Sequence, residues 1–150
     1  MPIRKATVGD VKKIQTLVNY YAKRERMLPR SLNELYENIR DFWVYAEGRN
    51  IVGCCALHVD WEDLAEVKSL AVSPKKSGRG TGRRLLEKCL KDAKALKVKK
   101  VFALTYVPEF FENAGFAIVD KKELPHKIWS ECIKCCYFPN CKEIAMVREL

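Results

Sequence analysis

A chain of 150 residues, 48% of them hydrophobic and 31% charged, has the length and composition of one globular domain, which excludes a disordered chain. It has no apolar run of about 18 residues, and its first residues lack the apolar core of a signal peptide, so we expect a cytoplasmic protein that does not span a membrane. The net charge is +9, but basic residues are not interleaved with aromatic ones and no zinc-finger or helix-turn-helix spacing occurs, so nucleic acid is not an expected partner.

The first half of the chain predicts strands and helices in alternation. A short strand at Ile3 precedes the capping-box pattern of Thr7 and Asp10, which starts a helix. After a break at residues 27–30, a second capping box, Ser31 with Glu34, starts another helix. Residues 42–47 and 51–59 read as a hairpin across the turn 48–50, and residues 64–72 form a further strand.

The second half begins with a glycine-rich turn, followed by a helix from about Arg83. A strand is predicted at 101–104, a short helix over 108–114 that ends at Gly115, and further strands at 116–119 and 144–147. Residues 121–142 are irregular and cysteine-rich, and we interpret them as an excursion between two strands.

The positive surplus lies beside the glycine-rich turn. Residues 74–100 hold eleven of the 28 Lys and Arg residues but only two of the 19 Asp and Glu residues, and the remainder balances at 17 against 17. Glycines let a backbone approach a phosphate closely, and the free N–H groups at a helix start bind anions. The turn therefore predicts a phosphate site, although a solvated helix face explains most of the lysines equally well. A Walker loop is excluded because the Gly-Lys-Ser/Thr ending is missing.

The neighbours of this turn resemble known motifs. Leu70-Ala71-Val72-x-Pro74, Gly78-x-Gly80-x-Gly82 and Leu85-Leu86 together resemble the acetyl-CoA-binding motif of the GNAT N-acetyltransferases. The second motif of that superfamily resembles Pro108-x-Phe110-Phe111-Glu112-x-x-Gly115-Phe116, and Ile3-Arg4-x-Ala6-x-x-x-Asp10 is typical of its start. These matches cover most of residues 3–120 in the right order.

The resemblance implies the fold and the cofactor. We expect one α/β domain over residues 1–150, with a mixed, mostly antiparallel sheet flanked by helices and the cysteine-rich excursion at about 121–142. Acetyl-CoA is the implied acetyl donor, and a homodimer is compatible with the pattern. The residues implied to hold the cofactor are Leu70, Ala71, Val72, Ser77, Gly78, Arg79, Gly80, Thr81, Gly82 and Arg83.

The resemblance also implies a mechanism of direct transfer. Glu66 resembles the glutamate that acts as general base, often through water; its alternative is a surface strand residue paired with Lys68. The N–H of Leu70 or Val72 would stabilise the oxyanion, and a splayed strand edge at 70–72 would pair with pantetheine.

Two residues depart from the family pattern. Ser77 stands where Gln or Arg is usual, so the backbone N–H groups and neighbouring arginines would hold more of the phosphate. Phe111 stands where a Tyr commonly acts as general acid, and a phenyl ring cannot donate a proton. Tyr106, Thr105 and water remain as alternative proton donors.

A second resemblance concerns the acceptor and is carried by segments 27–31, 39–44, 52–58, 63–66, 101–105 and 124–127. These segments resemble short, kinase-less bacterial N-acetylglutamate synthases. This resemblance implies acetylation of L-glutamate, the first step of arginine synthesis. Another amino acid, a peptide amine, or a non-catalytic sensor of acetyl-CoA or arginine remain alternatives.

Glutamate carries two carboxylates, so its site should contain cations. Arg30, in the irregular stretch between the two N-terminal helices, is the first candidate ligand, followed by Arg40 and Lys127. Arg40 is alternatively a solvated helix end and Lys127 a loop lysine. A polar contribution from His58 is a further alternative to a structural role.

Seven cysteines fall into two groups. Cys54, Cys55 and Cys89 lie in apolar patterns and are predicted core residues. A second set is compatible with a structural zinc ion, with His126 as a further ligand, with redox-sensitive thiols, or with ordinary reduced thiols; we assign no metal site. The members of this second set are Cys132, Cys135, Cys136 and Cys141.

Overall fold

The computed structural model describes residues 3–24, 27, 29–76, 78–123 and 143–150. Within these ranges the chain forms one mixed sheet of seven strands and four α-helices. The helices are α1 (Val11–Ala22), α2 (Leu32–Glu37), α3 (Thr81–Ala95) and α4 (Pro108–Asn113). The strands are β1 (Ile3–Lys5), β2 (Phe42–Glu47), β3 (Asn50–Trp61), β4 (Leu64–Val72), β5 (Lys100–Thr105), β6 (Ala117–Val119) and β7 (Ile144–Glu149).

The strand order is β1-β2-β3-β4-β5-β7-β6. All neighbours pair antiparallel except β4 and β5, which are parallel and are joined by α3. The predicted mixed, mostly antiparallel sheet is therefore confirmed. None of the helices in the described ranges combines the length and apolarity needed to cross a membrane.

Both capping boxes form as predicted. The Thr7 N–H donates to Asp10 Oδ2 at 2.8 Å, and a single 3₁₀ turn over Val8–Asp10 leads into α1. The Ser31 side chain accepts from the Glu34 N–H at 3.1 Å and starts α2. Each bond satisfies an N–H group that the first turn of a helix leaves without a partner.

The helices cover the sheet from both sides. On one side α1 and α2 pack against β2 and β3, through residues such as Val11, Leu35 and Cys54. On the other side α3 and α4 pack against β3, β4 and β5, through residues such as Leu86 and Cys55. Adjacent cysteines thus enter opposite halves of the core, because successive strand residues face opposite sides.

The buried cysteines are core thiols, as predicted. Cys54, Cys55 and Cys89 are fully buried, and the Sγ atoms of Cys55 and Cys89 are 3.4 Å apart across the contact between β3 and α3. Burial raises the pKa of the Cys54 thiol to about 12 and raises that of Cys55 as well. The thiols of Cys54 and Cys55 are therefore protonated and inert in the folded protein.

A bulge at Ser69 changes which residues of β4 face each side. Ala56 pairs with Lys68, but Cys54 pairs with Ala71. Between these two pairs the chain advances two residues along β3 and three along β4, so β4 contains one extra residue. Ser69 has a φ of 56°, in the left-handed region. Beyond it, Leu70 packs against the α3 side of the core, whereas Ala71 packs against the α1 side.

Several boundaries differ from the prediction by one or two residues. The helix α3 begins at Thr81 rather than about Arg83, because Gly80, with a φ of 79°, already precedes the first helical residue. Strand β3 extends to Trp61. Helix α4 ends at Asn113, and Gly115, with a φ of 90°, closes it as predicted.

Candidate functional site

The parallel strands β4 and β5 separate and leave a cleft between them. They pair only at Leu64 with Lys100, Ala65 with Val101 and Glu66 with Phe102. Beyond that point a cleft of about 580 Å³ opens, so the predicted splaying of β4 is confirmed. Its lining comes from β4 (residues 66–72), the end of β5 and the segment after it (104–107), the glycine-rich turn (Lys76, Gly78, Gly80, Gly82, Arg83), α4 (Phe110, Phe111), the N-terminal region (Tyr21, Met27, Arg30) and Glu143.

The start of α3 forms one end of the cleft. Gly78 and Gly80 both have φ values near 80° and, with Gly82, line the cleft, so backbone is exposed there without side chains. Thr81 is buried and Arg79 is exposed, and neither lines the cleft. The Ser77 prediction lies outside the described residues. Free N–H groups and the positive end of a fifteen-residue helix suit an anion at this end.

Two cations stand at the same end. Lys76 Nζ lies 3.1 Å from Glu47 Oε2, and Arg83 Nε lies 3.4 Å from Glu87 Oε1. Arg83 also donates to the Asn113 carbonyl at 3.1 Å, which ties α3 to α4. Both side chains line the cleft. Their ion pairs with Glu47 and Glu87 are exposed to solvent and therefore weak.

Glu66 lies where the two strands begin to separate. It lines the cleft and is only 8% exposed, so it is not the surface strand residue that was the alternative interpretation. In the β3–β4 register it stands opposite His58. His58 Nδ1 in turn lies 2.7 Å from Asp41 Oδ2, and this hydrogen bond raises the pKa of His58.

Tyr106 and Thr105, the two side chains considered as proton donors, stand on the opposite wall. Both line the cleft, and Thr105 Oγ1 accepts from the Val107 N–H at 2.9 Å. Phe111 also lines the cleft, but it is buried, and its ring packs edge-on against Phe110 and Phe116, each with centroids 5.2 Å apart. Phe111 therefore contributes an apolar wall.

Arg30 enters the cleft from the segment before α2. Its Nε is buried and has no hydrogen-bond partner among the residues that the structure describes. Its Nη1 lies 3.5 Å from Glu34 Oε2, at the limit of a hydrogen bond. The backbone is anchored, because the Arg30 carbonyl accepts from Gln15 Nε2 at 3.2 Å. A partly buried guanidinium, whose side chain is 22% exposed and whose Nε is an unused donor, suits a carboxylate ligand.

The other two predicted cations are not brought to this cleft by the described structure. Arg40 is exposed in the 3₁₀ turn Ile39–Asp41 and does not line the cleft; its carbonyl accepts from Lys5 Nζ. Lys127 lies outside the described residues, as do His126 and the second cysteine set, residues 132–141. Within the described residues no group of His, Cys, Asp and Glu side chains could hold a metal ion.

Two features of the cleft were not predicted from the sequence. The Tyr21 hydroxyl donates to the Val72 carbonyl and so connects α1 to the end of β4. The pairing of Asp41 with His58 was also missed. The turn at residues 48–50 does not predict it, because a register shift between Tyr45 and Ala46 is needed before Phe42 faces Ala56 and Asp41 comes near His58.

Comparisons with known proteins agree on one family. Residues 38–118 match the acetyltransferase (GNAT) domain. An uncharacterized N-acetyltransferase from Chlorobaculum tepidum is 37% identical over 148 residues, which are 99% of this chain and 96% of that protein. An amino-acid acetyltransferase from Mycobacterium tuberculosis is 37% identical over 133 residues, which are 86% of this chain and 75% of that protein.

A solved structure shares the whole fold. N-acetylglutamate synthase from Neisseria gonorrhoeae, complexed with coenzyme A and N-acetyl-glutamate, superposes with a TM-score of 0.91 and 29% sequence identity. The match covers 99% of this chain and 34% of that one, so this chain spans about a third of the synthase.

Proposed function

The chain belongs to the GNAT family of acetyltransferases, and we propose that it transfers the acetyl group of acetyl-CoA to the amine of L-glutamate. The observation that carries this acceptor is the presence of Arg30 and Glu66 in one cleft. A guanidinium with a buried, unused Nε suits a carboxylate, and a buried glutamate suits the amine of the same molecule. The synthase complexed with N-acetyl-glutamate supports the same choice.

Acetyl-CoA is the acetyl donor, and the two ends of the cleft suit its two parts. The pyrophosphate would accept hydrogen bonds from the backbone N–H groups of residues 78–83 at the start of α3. The side chains of Lys76 and Arg83 would add positive charge beside it. The pantetheine arm would lie along β4 at residues 70–72, where β5 has moved away.

The chemistry assigned to these residues is direct transfer. Glu66, through a water molecule or directly, would take a proton from the ammonium group, because only the neutral amine is a nucleophile. The N–H of Leu70 or Val72 would stabilise the oxyanion. Tyr106, on the opposite wall, would protonate the leaving thiolate in place of the family tyrosine that Phe111 replaces.

The acceptor is tested with a panel of amines and a thiol readout of CoA release. Glutamate, glutamine, aspartate, other amino acids and a peptide amine are compared at equal concentration with the purified protein. We expect glutamate to be the best acceptor and N-acetylglutamate, the first intermediate of arginine synthesis, to be its product. Turnover with another amine and none with glutamate would contradict the acceptor and leave the acetyltransferase activity intact.

Arg30→Lys is a sharp variant for the acceptor, because it keeps the charge but loses the planar fork. We expect the KM for glutamate to rise by about tenfold or more, which corresponds to losing one charge-assisted hydrogen bond, with the KM for acetyl-CoA unchanged. Arg40→Lys, on the exposed turn outside the cleft, is the matched control. Equal effects of both substitutions would argue against Arg30 as the ligand.

Phe111 is buried where the family commonly has a general-acid tyrosine, and its ring cannot donate a proton. This favours one second candidate function, a sensor that binds acetyl-CoA or arginine without catalysis. Glu66→Gln distinguishes the two. An enzyme loses turnover by about a hundredfold or more while it still binds CoA. A sensor shows no turnover in the unmodified protein.

A further inference from the structure

Asp41, His58 and Glu66 follow one another across the sheet. Asp41 ends the turn before β2 and pairs with His58 on β3 at 2.7 Å. His58 stands opposite Glu66 on β4. Directly opposed residues of antiparallel strands lie on the same face, with Cβ atoms about 4.5–5.5 Å apart. The imidazole therefore stands between the two carboxylates.

His58 and Asp41 are more exposed to solvent than Glu66. Glu66 is 8% exposed, whereas the side chains of His58 and Asp41 are 29% and 26% exposed. A base at the position of Glu66 has little direct access to water. The imidazole next to it reaches solvent, and the hydrogen bond to Asp41 raises its pKa above the ordinary value of histidine.

We propose that His58, held by Asp41, accepts the proton that Glu66 takes from the acceptor amine and releases it to solvent, an inference that rests on the proposed role of Glu66. An ammonium group loses two protons when it becomes an amide. One ends on the CoA sulfur, and the other must leave the site. Glu66 becomes a carboxylic acid when it takes this proton, the neutral imidazole of His58 accepts it and restores the carboxylate, and the imidazolium gives it to water.

The charges around His58 support proton passage. Asp41 and Asp60 favour the imidazolium, and Lys68, the next residue of β4 on the same face, disfavours it. Glu66 is the residue of β4 directly opposite His58. Arg40 shares the turn of Asp41. Beyond Glu66 the facing residue of β5 is Phe102, which is uncharged. An imidazolium is thus stabilised by its neighbours and still opposed by one cation, so that it can lose its proton again.

A titration tests the geometry without any turnover. The chain has two histidines, so His58→Gln assigns the resonances of His58 in the NMR spectrum. We expect Glu66→Gln to lower the pKa of His58 by about 0.5–1 unit, because a facing carboxylate is lost. Glu109→Gln, on α4 at the other side of the sheet, is the control and leaves it unchanged. An unchanged His58 in Glu66→Gln would overturn the inference.

Kinetics test the proton route itself, with whichever amine the wild-type enzyme acetylates best. We expect His58→Ala to lower kcat by about tenfold or more, to leave the KM for acetyl-CoA within about twofold, and to recover in part with added imidazole. Asp41→Asn should shift the pH profile of kcat in the same preparations. A wild-type kcat in His58→Ala, or a loss that imidazole does not restore, contradicts the route while the acetyltransferase function stands. Failure of the wild type with every amine contradicts the function and the route together.

Discussion

Arg4 binds Asp10 through both terminal guanidinium nitrogens, at 2.7 and 3.0 Å, and so connects β1 to the start of α1. The same carboxylate accepts from the Thr7 N–H. These bonds lower the pKa of Asp10 to about 2, the Arg4 hydrogen bonds being the largest cause. The first strand and the first helix are therefore held together by one buried carboxylate.

Asp10→Asn should destabilise the fold by about 1–2 kcal/mol at pH 7, a value reduced for the half-exposed Arg4 side chain. A lowered pKa contributes stability above the unfolded value of about 3.9, and this contribution is lost as the pH falls through about 2. Urea unfolding at pH 7, 4 and 2.5 measures the difference from wild type. A difference that stays constant over this range would contradict the assigned cause.

The pairing of Asp41 and His58 should make stability depend on pH in the opposite direction. Because the pKa of His58 is raised in the folded state, the stabilisation is full below about 6.5 and is lost as the pH rises through the folded value. Asp41→Asn should cost about 0.5–1 kcal/mol at pH 6 and less at pH 9. Thermal unfolding at the two pH values checks the sign, and a larger cost at pH 9 would refute it.

Ser69 should tolerate glycine but not valine. Its φ of 56° is in the left-handed region, where a β-branched residue is strained by about 1–2 kcal/mol or more and glycine is not. Ser69→Val should therefore lower stability and raise the KM for acetyl-CoA, because the bulge sets the path of β4 along the cleft. Ser69→Gly should keep both near wild type. Denaturant unfolding and steady-state kinetics measure the two effects.

Gly80→Ala and Gly48→Ala form a matched pair. Both glycines have positive φ values and open space where a Cβ would stand, so both substitutions should cost about 1 kcal/mol of backbone strain. Gly80 lines the cleft at the start of α3, whereas Gly48 is in the β2–β3 turn. Only Gly80→Ala should weaken CoA binding, measured by calorimetry. Equal losses would argue against a phosphate site at this turn.

Local chemistry made most of the fold predictable from the sequence. The capping boxes at Thr7 and Ser31 and the bounds of β4 came out as predicted, because they depend on neighbouring residues alone. The bulge at Ser69 could not be predicted, since no glycine marks its positive φ. The start of α3 was placed late because Gly82, which resembles part of the turn, is a helical residue.

The candidate site was predictable in part. The positions of Glu66 and Arg30 in one cleft followed from residue type and motif resemblance. Arg40 was a weaker choice that remains on the surface, because only the three-dimensional path of α2 separates it from Arg30. The contact of Asp41 with His58 depends on strand register, which residue types alone do not give.

Chemical labelling of the buried thiols of Cys54, Cys55 and Cys89 can measure local unfolding of this protein. At pH 8 a thiol with a pKa of about 12, like that of Cys54, is a thiolate in about one molecule in ten thousand. An aromatic disulfide reagent therefore reaches Cys54 only when α1 separates from the sheet, and it reaches Cys55 and Cys89 only when β3 and α3 separate. The slow phases of labelling measure the rates or the free energies of these separations. A bound cofactor that strengthens either contact should slow the corresponding phase, which provides an assay of ligand binding that needs no turnover.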